Sequence, residues 1–381
     1  MLTQEEKGII LETVPVLQEK GTEITAKFYG RMFNQHPELR NMFNQTNQKK
    51  GFQSTALAQS VLAAAVNIED LTPILPIVKE IGYKHCALDV RPEHYPIVGE
   101  NLLAAIQEVV GLDADHPIIT TWGKAYGDIA DAFISVEKDI YDHMAWESFK
   151  PFKIEKIEQI THNIKAFTVT SDEIDLSQFT PGQYITVDIE GEKLPYRAKR
   201  HYSIVDGGKN YLTFGVRRES GDGHEGEVST VLHDEFNEGD TINLSAPVGG
   251  FQLHNTDKPQ LFLGSGVGVT PLVSMYRQAV KEAPQSQFIN VAASEADVAF
   301  KDEIDKIKSQ GNNTDVHYHL RDKEGYLEAE ELKKYLTDET QVYICGGTPF
   351  LQSMIKELKA LNFNEDNIYF ETFVPRLSVE V

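Results

Sequence analysis

Cysteine is nearly absent from this chain. Its 381 residues include only Cys86 and Cys345, and the two lie in stretches of different sequence pattern. Two distant cysteines make no disulfide framework, so we exclude a small disulfide-stapled secreted protein and expect a reducing compartment. The opening residues, MLTQEEKGII, contain no basic segment followed by an apolar run. We therefore expect no signal peptide and a cytoplasmic location.

Long apolar runs and positive charge are also scarce. No run approaches the roughly 18 apolar residues that a membrane-spanning helix needs, so we expect no obligatory membrane partner. The 36 lysines and arginines stand against 58 aspartates and glutamates, which gives a net charge of -22. Because no local cluster of Lys and Arg offsets this charge, we exclude nucleic acid as a partner. The length predicts two or three domains.

Residues 1–148 repeat apolar side chains at helical spacing almost throughout, which predicts an all-helical domain. We expect a first helix that starts at Thr3 and includes Leu17, and a second helix that ends before His36. A long last helix is expected over about 118–145.

The most informative part of this domain runs from Thr72 to Ile106. His85 lies in an apolar helical stripe, and its helix must end before Pro92 because the residue preceding a proline resists helical angles. A second helix is expected to start at Pro96, with Tyr95 just outside it. A neutral imidazole directed into apolar space can bind a metal centre, whereas a hydrogen-bonded core histidine is the alternative.

Three positions could support His85 from behind or from the side. Tyr95 shares a helix face with Val98, so both approach the same space. Glu137, at the edge of the stripe of the last helix, is either a solvated residue or a hydrogen-bond partner of Tyr95. In the second case the carboxylate would make the imidazole more electron-donating.

Four other residues could face His85 across a pocket. Tyr29 and Gln53 could donate hydrogen bonds to a polar ligand, while Phe43 and Leu57 would exclude water. Each of them taken singly is also compatible with ordinary packing. A polar connector, NQTNQKKG, separates Phe43 from the helix that carries Gln53.

Residues 149–256 change to a period of two and predict an antiparallel barrel or sandwich. The candidate strands are Phe152–Ile160, Tyr184–Ile189, His201–Val205, Tyr211–Val216 and Thr241–Leu244. Within them, Arg200-His201-Tyr202-Ser203 combines a phosphate-binding group, an aromatic ring that can cover a flavin and a hydroxyl for ring nitrogens. A second motif is Gly226-Glu227-Val228-Ser229, which precedes a short helix and could hold a diphosphate. Either motif could also be an ordinary strand and turn.

Residues 257–381 alternate strands and helices, which predicts a parallel sheet with right-handed crossovers. A glycine-rich turn between the first strand and its helix contains Gly266, Val267, Gly268, Val269, Thr270 and Pro271. A second turn, Cys345-Gly346-Gly347, ends another strand, so both belong at the carboxyl edge of the sheet where such folds bind nucleotides. His317-x-His319 also lies on a predicted strand, and we interpret it as a strand repeat because no carboxylate or cysteine stands at ligand spacing.

The three blocks in this order resemble the flavohaemoglobins, over essentially the whole chain. The matching haem-pocket positions are Tyr29, Phe43, Gln53, Leu57, Lys84, His85, Tyr95 and Glu137. The flavin motifs are matched by Tyr184 of a PGQY run, by Arg200, Tyr202 and Ser203, and by Gly226, Val228 and Ser229. The nicotinamide side is matched by 266–271 and 345–347, and Glu371-Thr372-Phe373 resembles the segment whose aromatic ring covers the flavin.

The resemblance implies an all-α globin domain (1–148), an antiparallel β-barrel FAD domain (149–256) and an α/β NAD(P)H domain (257–381). It implies haem b on His85, FAD and NAD(P)H as cofactors, with Lys84 and Glu371 near the gap between flavin and haem. The implied activity is nitric oxide dioxygenation: electrons from NAD(P)H pass through FAD to haem, O₂ binds under Tyr29 and Gln53, and NO is converted to nitrate.

Two alternatives and several details stay open at this level. The chain could be a gas sensor or oxygen-binding globin with an attached flavin reductase, or a haem-free reductase with a helical binding module. A monomer or weak dimer is expected. Glu295 would repel the 2′-phosphate of NADPH, but one residue does not decide between NADH and NADPH. The family usually has Gly-Pro where this chain has Val374-Pro375, which alters the fit of the tail, and Val269 replaces a polar residue of some relatives.

Overall fold

We describe the protein from a computed structural model, which covers residues 2–43, 48, 51–192, 194–221 and 224–374. The chain divides into two compact units. The first consists mainly of Met1–Ser148 and also includes Leu194–Lys199. The second contains Phe149–Lys193 and Arg200–Phe373. Among the described residues, no helix is long and apolar enough to cross a membrane.

The first unit is helical, as predicted. Its helices are α1 (Gln4–Glu12), α2 (Val14–Gln35), α3 (Phe52–Val66), α4 (Leu75–Ala87), α5 (His94–Val110) and α6 (Pro117–His143). Short 3₁₀ turns at Pro37–Asn41 and Thr72–Ile74 follow α2 and precede α4. A capping box begins α1, because the Thr3 hydroxyl accepts a hydrogen bond from the Glu6 amide and the Glu6 carboxylate accepts one from the Thr3 amide.

Two helix boundaries differ from the prediction. The first predicted helix is interrupted at Thr13, whose amide and hydroxyl both donate to the Ile10 carbonyl, and α2 then starts just before Pro15. A proline in the first turn of a helix lacks only an N–H that would be unpaired anyway, so the new start costs little. Helix α5 begins at His94 rather than Pro96, which places Tyr95 inside its first turn.

A closed antiparallel barrel begins the second unit. Its strands are β1 (Lys150–Thr161), β2 (Ile164–Thr170), β3 (Tyr184–Ile189), β4 (Ala198–Gly208), β5 (Tyr211–Arg217) and β8 (Thr241–Leu244), in the order β1-β2-β5-β4-β3-β8. A two-stranded ribbon, β6 (Ser220–Gly221) with β7 (His224–Glu225), and helix α7 (Glu227–Asp234) lie between β5 and β8. Strand β2 was not predicted, because the consecutive apolar residues Ala166 and Phe167 interrupt its alternation of polar and apolar side chains.

A five-stranded parallel sheet completes this unit, in the order β11-β10-β9-β12-β13. The strands are β9 (Gln260–Ser265), β10 (Ser286–Ala292), β11 (Thr314–Leu320), β12 (Gln341–Cys345) and β13 (Ile368–Glu371). The helices are α8 (Val269–Glu282), α9 (Lys301–Lys308), α10 (Arg321–Glu324), α11 (Ala329–Leu332) and α12 (Thr348–Ala360). The predicted parallel sheet is therefore confirmed.

Helices cover both faces of this sheet. Phe262, Phe288 and Tyr343 lie in one core cluster with residues of α8 and α9, and Ile164 and Ala166 of β2 join the same cluster. The opposite face is covered by α11 and α12. Burial on both faces explains why the central strands are apolar at most positions.

Candidate functional site

His85, Tyr95 and Glu137 form one hydrogen-bonded group inside the first unit. Glu137 Oε1 lies 2.6 Å from His85 Nδ1 and accepts a hydrogen bond from the Tyr95 hydroxyl at 2.6 Å. The Glu137 side chain is only 3% exposed. Burial, followed by the charge of Glu137, raises the pKa of Tyr95, so its phenol stays protonated as a donor. The structure thus selects the buried, bridging interpretation of Glu137 over the solvated one.

This arrangement determines which nitrogen of His85 can bind a metal. A carboxylate accepts hydrogen bonds, so Nδ1 carries the proton and Nε2 keeps its lone pair. His85 Nε2 makes no hydrogen bond to any of the described residues, and the imidazole is 33% exposed at the side of an apolar core. An imidazole whose second nitrogen is held by a carboxylate is the usual form of a metal ligand, so the residues present fit a haem iron on His85.

Apolar side chains suited to a flat macrocycle lie along the same core. Phe43, Leu57 and Val98 are half-buried and pack against the cluster that contains Tyr29 and Leu102. Lys84, also half-buried, precedes His85 on α4. A porphyrin is largely apolar, so partly buried hydrophobic residues of this kind are the expected lining of its pocket.

Tyr29 sits in an aromatic cluster on α2. Its ring centroid lies 4.8 Å from that of Phe28, 5.9 Å from Phe33 and 5.7 Å from Phe43. Burial raises the pKa of Tyr29, with a hydrogen bond from the Gln48 side chain acting in the opposite direction. The phenol is therefore a neutral donor at physiological pH.

Gln48 is a residue that the sequence analysis missed. Its side chain contacts Tyr29 and also donates to Oε1 of Gln53, so it links the two predicted donors. Gln48 belongs to the polar connector NQTNQKKG, of which 44–47 and 49–50 lie outside the described residues. The only signal in the sequence was an amide five residues after Phe43, and nothing in a polar connector distinguishes one amide from another.

The predicted flavin motif occupies the start of β4. The Arg200 guanidinium is largely buried, and burial lowers its pKa. Its Nη2 lies 3.7 Å from Glu227 Oε2. Tyr202 stacks on Phe214 with ring centroids 5.7 Å apart, and burial raises the pKa of its phenol. Ser203, on the other face of the strand, is buried.

His201 and Tyr184 meet beside this motif. Their ring centroids are 4.9 Å apart, and His201 Nδ1 lies 2.8 Å from the Thr186 hydroxyl. In the PGQY run, Gly182 has φ +100 and a Cβ would stand 1.9 Å from the Phe251 carbonyl oxygen, so only glycine fits. The Gly182 amide donates to Ser274 Oγ of α8 at 3.0 Å, which ties the motif to the sheet.

The loop Gly226–Ser229 forms the amino end of α7. Val228 and Ser229 are buried, and Ser229 Oγ accepts a hydrogen bond from the Glu219 amide at 3.1 Å. A Cβ on Gly226 would lie 2.6 Å from both Glu219 Cβ and Ser229 Oγ. Arg200 and this helix end thus bring a guanidinium and the amino end of a helix into one region, which suits a diphosphate.

The two glycine turns of the sheet touch each other. Gly266–Gly268 form a 3₁₀ turn after β9, and Val269, Thr270 and Pro271 begin α8. A Cβ on Gly268 would lie 2.5 Å from the Cys345 carbonyl oxygen and 2.5 Å from Gly346 Cα. Gly347 then caps α12. Both turns lie at the carboxyl ends of adjacent strands, which is where parallel sheets bind nucleotides.

The remaining predicted positions lie near the end of the chain. Glu371 ends β13, and one of its carboxylate oxygens accepts a hydrogen bond from the Thr372 amide at 2.9 Å. Phe373 is 48% exposed. Pro375 lies outside the described residues, so the effect of Val374-Pro375 on the tail stays a prediction.

His317 and His319 lie on β11, on a strand as predicted. Folding brings Glu324 and Glu331 to these histidines, although neither stands at a familiar ligand spacing in the sequence. Neither Cys86 nor Cys345 is in a disulfide, as expected, and both are buried.

Three family models match consecutive parts of the chain. Residues 26–133 match the globin family, 151–253 the oxidoreductase FAD-binding domain and 262–356 the oxidoreductase NAD-binding domain. Among curated proteins, the flavohemoprotein of Bacillus subtilis is 40% identical over 100% of this chain and 99% of its own length. That of Rhizobium meliloti is 36% identical, with full coverage of both chains.

Solved structures share the fold. The flavohemoglobin of Malassezia yamatoensis, determined with bound FAD and heme, matches with a TM-score of 0.86 and 21% identity, covering 98% of this chain and 99% of that one. The flavohem-like FAD/NAD binding domain of nitric oxide dioxygenase from Vibrio cholerae covers 58% of this chain, with a TM-score of 0.53 and 24% identity.

Proposed function

This chain belongs to the flavohemoprotein family, and from that premise we propose that it is an NAD(P)H-dependent nitric oxide dioxygenase. It has one globin, one FAD-binding and one NAD-binding domain, and it is an oxidoreductase that uses haem, FAD and a nicotinamide nucleotide. The observation that carries the proposal is the buried Glu137 carboxylate, which accepts hydrogen bonds from both His85 and Tyr95.

The proposed cofactors and the residues around them have separate tasks. When bound, FAD would supply the acceptor for hydride from NAD(P)H, and a haem held by His85 would supply the iron needed for the conversion of NO and O₂ to nitrate. Glu137 holds the Nδ1 proton of His85 and so keeps Nε2 available as a strongly donating ligand. A pure oxygen store does not need such a donor, whereas activation of O₂ gains from it.

On the opposite side of the pocket, Tyr29 is the proposed donor to the bound gas. Its phenol is buried and neutral, and Gln48 positions it together with Gln53. In the second unit, Arg200 and the amide end of α7 would hold the FAD diphosphate, and Tyr202 and Ser203 the flavin ring. The touching turns at Gly268 and Gly346 would seat the nicotinamide nucleotide.

The reaction has a fixed electron count that tests the proposal. Conversion of NO and O₂ to nitrate consumes one electron, and each NAD(P)H supplies two. We expect the purified protein, loaded with haem and FAD, to form two nitrates for each NADH or NADPH oxidised in aerated buffer with NO. NAD(P)H oxidation that NO does not accelerate, with no nitrate formed, would instead support a gas sensor with an attached reductase.

Other parts of the assignment also stay proposals. NO as the substrate, a monomer or weak dimer, a cytoplasmic location and the individual site residues are all to be tested. The choice between NADH and NADPH is open as well, since Glu295 is 75% exposed and has Lys323 Nζ 3.8 Å away, a cation that weakens its repulsion of a phosphate.

A further inference from the structure

Four potential metal ligands converge at the edge strand of the parallel sheet. His317 and His319 lie on β11, Glu324 ends α10 and Glu331 lies on α11. Each offers one ligand atom, and the four atoms all lie within 4.8 Å of one another. None of these residues belongs to the haem, flavin or nicotinamide positions described above.

The sheet and the following helices bring these groups together. In β11, His317 pairs with Ile289 and His319 with Val291, so both histidines continue the sheet face to which those residues belong. Leu327 and Leu332 are buried against that face and hold the chain that carries the two glutamates. Hydrophobic packing therefore sets the backbone positions from which the four ligand side chains extend.

A hydrogen bond at Nε2 of His319 determines which of its ring nitrogens carries the proton. Its Nε2 lies 3.0 Å from the Gly325 carbonyl oxygen, and because a carbonyl can only accept, Nε2 carries the proton. In the neutral ring, Nδ1 then presents a lone pair to the cluster. The His319 side chain is 0% exposed, and its Nδ1 makes no hydrogen bond to any described residue. A fully buried nitrogen lone pair requires either a hydrogen-bond donor or a metal ion, and no described residue donates to this one.

The carboxylates face the same point. Glu324 Oε1 accepts a hydrogen bond from the Leu320 amide at 2.9 Å, which turns Oε2 toward the histidines. That Oε2 lies 3.3 Å from His317 Nε2 and 3.7 Å from His319 Nδ1. Glu331 Oε1 lies 3.6 Å from His317 Nε2, and Glu331 Oε2 lies 3.7 Å from His319 Nδ1. A backbone donor to the non-ligating oxygen and a carbonyl behind the imidazole are the outer partners that orient metal ligands.

We propose that His317, His319, Glu324 and Glu331 bind one divalent transition metal ion, of which zinc fits the donors best. Two imidazoles and two carboxylates favour such a metal over Ca²⁺ or Mg²⁺, which take mostly oxygen ligands. In a tetrahedral site with bonds of about 2.0–2.1 Å, ligand atoms stand roughly 3.3 Å apart. The measured pairs of 3.3–3.7 Å are close to this spacing. With four protein ligands the site is structural, and it fastens α10 and α11 to the edge strand.

Equilibrium dialysis tests the site in the full-length protein loaded with haem and FAD. Zinc is supplied from a chelator-buffered solution, and elemental analysis of the dialysed protein gives zinc relative to haem iron, which counts the chains. The wild type is expected to retain one zinc per iron. His317→Gln and Glu331→Gln are expected to raise the dissociation constant for zinc at least about tenfold, since each removes one ligand.

Glu330→Gln is the matched control, because Glu330 is an exposed neighbour on the same helix and offers no ligand atom to the cluster. It should bind zinc like the wild type. His319→Gln alters a buried side chain, so its circular dichroism must be checked, whereas His317 and Glu331 are partly exposed. Zinc that binds equally well to the wild type, His317→Gln and Glu331→Gln, or not at all to the wild type, would overturn the proposal.

Discussion

At the scale of single residues, one carboxylate oxygen controls the environment of His85. Glu137 Oε1 accepts from both His85 and Tyr95, and the Tyr126 hydroxyl in turn donates to the Tyr95 carbonyl at 2.6 Å. A hydrogen bond to a charged group contributes about 1.5–3 kcal/mol, and burying a carboxylate without such donors would cost more. Without His85, the buried Glu137 carboxylate would lose one of its two donors, which would be unfavourable.

Glu137→Gln tests this arrangement. The amide keeps the shape of the side chain but loses its charge, so the His85 imidazole becomes a weaker electron donor to the haem iron. We expect NO turnover to fall about 10- to 100-fold while haem content stays near that of the wild type. Because Glu137 acts through His85, the test includes the iron–histidine stretching frequency of the reduced protein by resonance Raman, which should fall.

Asp139→Asn serves as the control, since Asp139 lies two residues further along α6 and is 74% exposed. It should leave turnover and the stretching frequency unchanged. An unchanged frequency in Glu137→Gln would contradict the proposed role, whatever its effect on turnover.

Tyr29→Phe addresses the other side of the pocket. It removes one hydroxyl and keeps the ring that packs on Phe28, Phe33 and Phe43. Loss of a hydrogen bond worth about 1.5–3 kcal/mol should raise the O₂ dissociation rate roughly 10- to 100-fold, measured by stopped-flow displacement. A rate within a factor of two of the wild type would mean that Tyr29 is only a packing residue.

Individual side chains were only partly predictable from the sequence. His85 and Tyr95 were found because helical spacing and a proline placed them together. The burial of Glu137 and the approach of Glu324 to His317 depend on which helices pack together, which a one-dimensional pattern does not encode. Gln48 could not be found either, because a loop has no period.

At the scale of elements, the nucleotide side depends on contact between two turns. The absence of a side chain at Gly268 lets the turn after β9 reach Cys345 and Gly346 of the next turn. Gly264 likewise allows a close contact between β9 and α8, since a Cβ there would lie 2.8 Å from Val269 Cγ1. This close packing joins the strand, the turn and the amino end of α8, the part of a parallel sheet at which we expect a nucleotide phosphate.

Gly268→Ala should separate these turns. A Cβ at 2.5 Å from two backbone atoms forces a shift, and we expect a loss of about 1–3 kcal/mol in the free energy of unfolding. We also expect a higher KM for NADH with haem and FAD content unchanged. Urea unfolding and steady-state kinetics measure the two effects.

Gly347→Ala is the comparison for stability alone, because its Cβ would meet nothing closer than Pro349 Cδ at 3.9 Å. Its free energy of unfolding should fall by less than that of Gly268→Ala. Equal losses in the two variants would show that contact between the turns is not the cause.

Burial within α4 and β12 makes both cysteines unreactive. Burial, and then the charge of Glu137, raises the pKa of Cys86 to about 12, and burial raises the pKa of Cys345 well above its usual value. Since only the thiolate reacts, iodoacetamide at pH 8 should label the native protein at least about 100-fold more slowly than the unfolded chain. Mass spectrometry of timed samples measures this, and a native site labelled at the unfolded rate would contradict it.

The same pKa shifts set a pH dependence of stability. Because the thiol pKa is higher in the folded state, the unfolded chain loses these protons first as the pH rises. The contribution is therefore complete below about pH 8.5 and declines above it. Replacement of Cys86 by alanine should reduce that decline in a comparison of unfolding midpoints at pH 8 and pH 10.

Element boundaries were less predictable than element types. Most helices and strands were predicted because their apolar positions repeat or form short runs. The break at Thr13 depends on a single hydroxyl and the proline that follows, which leave the helical period of apolar residues unchanged. In β2, the adjacent apolar residues Ala166 and Phe167 interrupt the period of two.

At the scale of the whole molecule, the change of period from helical to alternating to mixed is what predicted three successive folds. The helical unit, the closed barrel and the parallel sheet confirm it. The reaction was harder to predict than the fold, because a histidine, an arginine and two glycine turns are compatible with many reactions. Their order along one chain, shared with the flavohemoproteins, is the basis for the proposed electron path.

An absorbance spectrum followed through reduction tests that path most directly. The purified protein is recorded as isolated, then after anaerobic NADH, and finally after a pulse of NO in air. We predict a haem Soret band with flavin shoulders, reduction of the haem by NADH, and rapid loss of NO with return of the oxidised spectrum. A flavin that bleaches with NADH in a protein that has no Soret band would contradict the account, because the helical unit would then hold no haem.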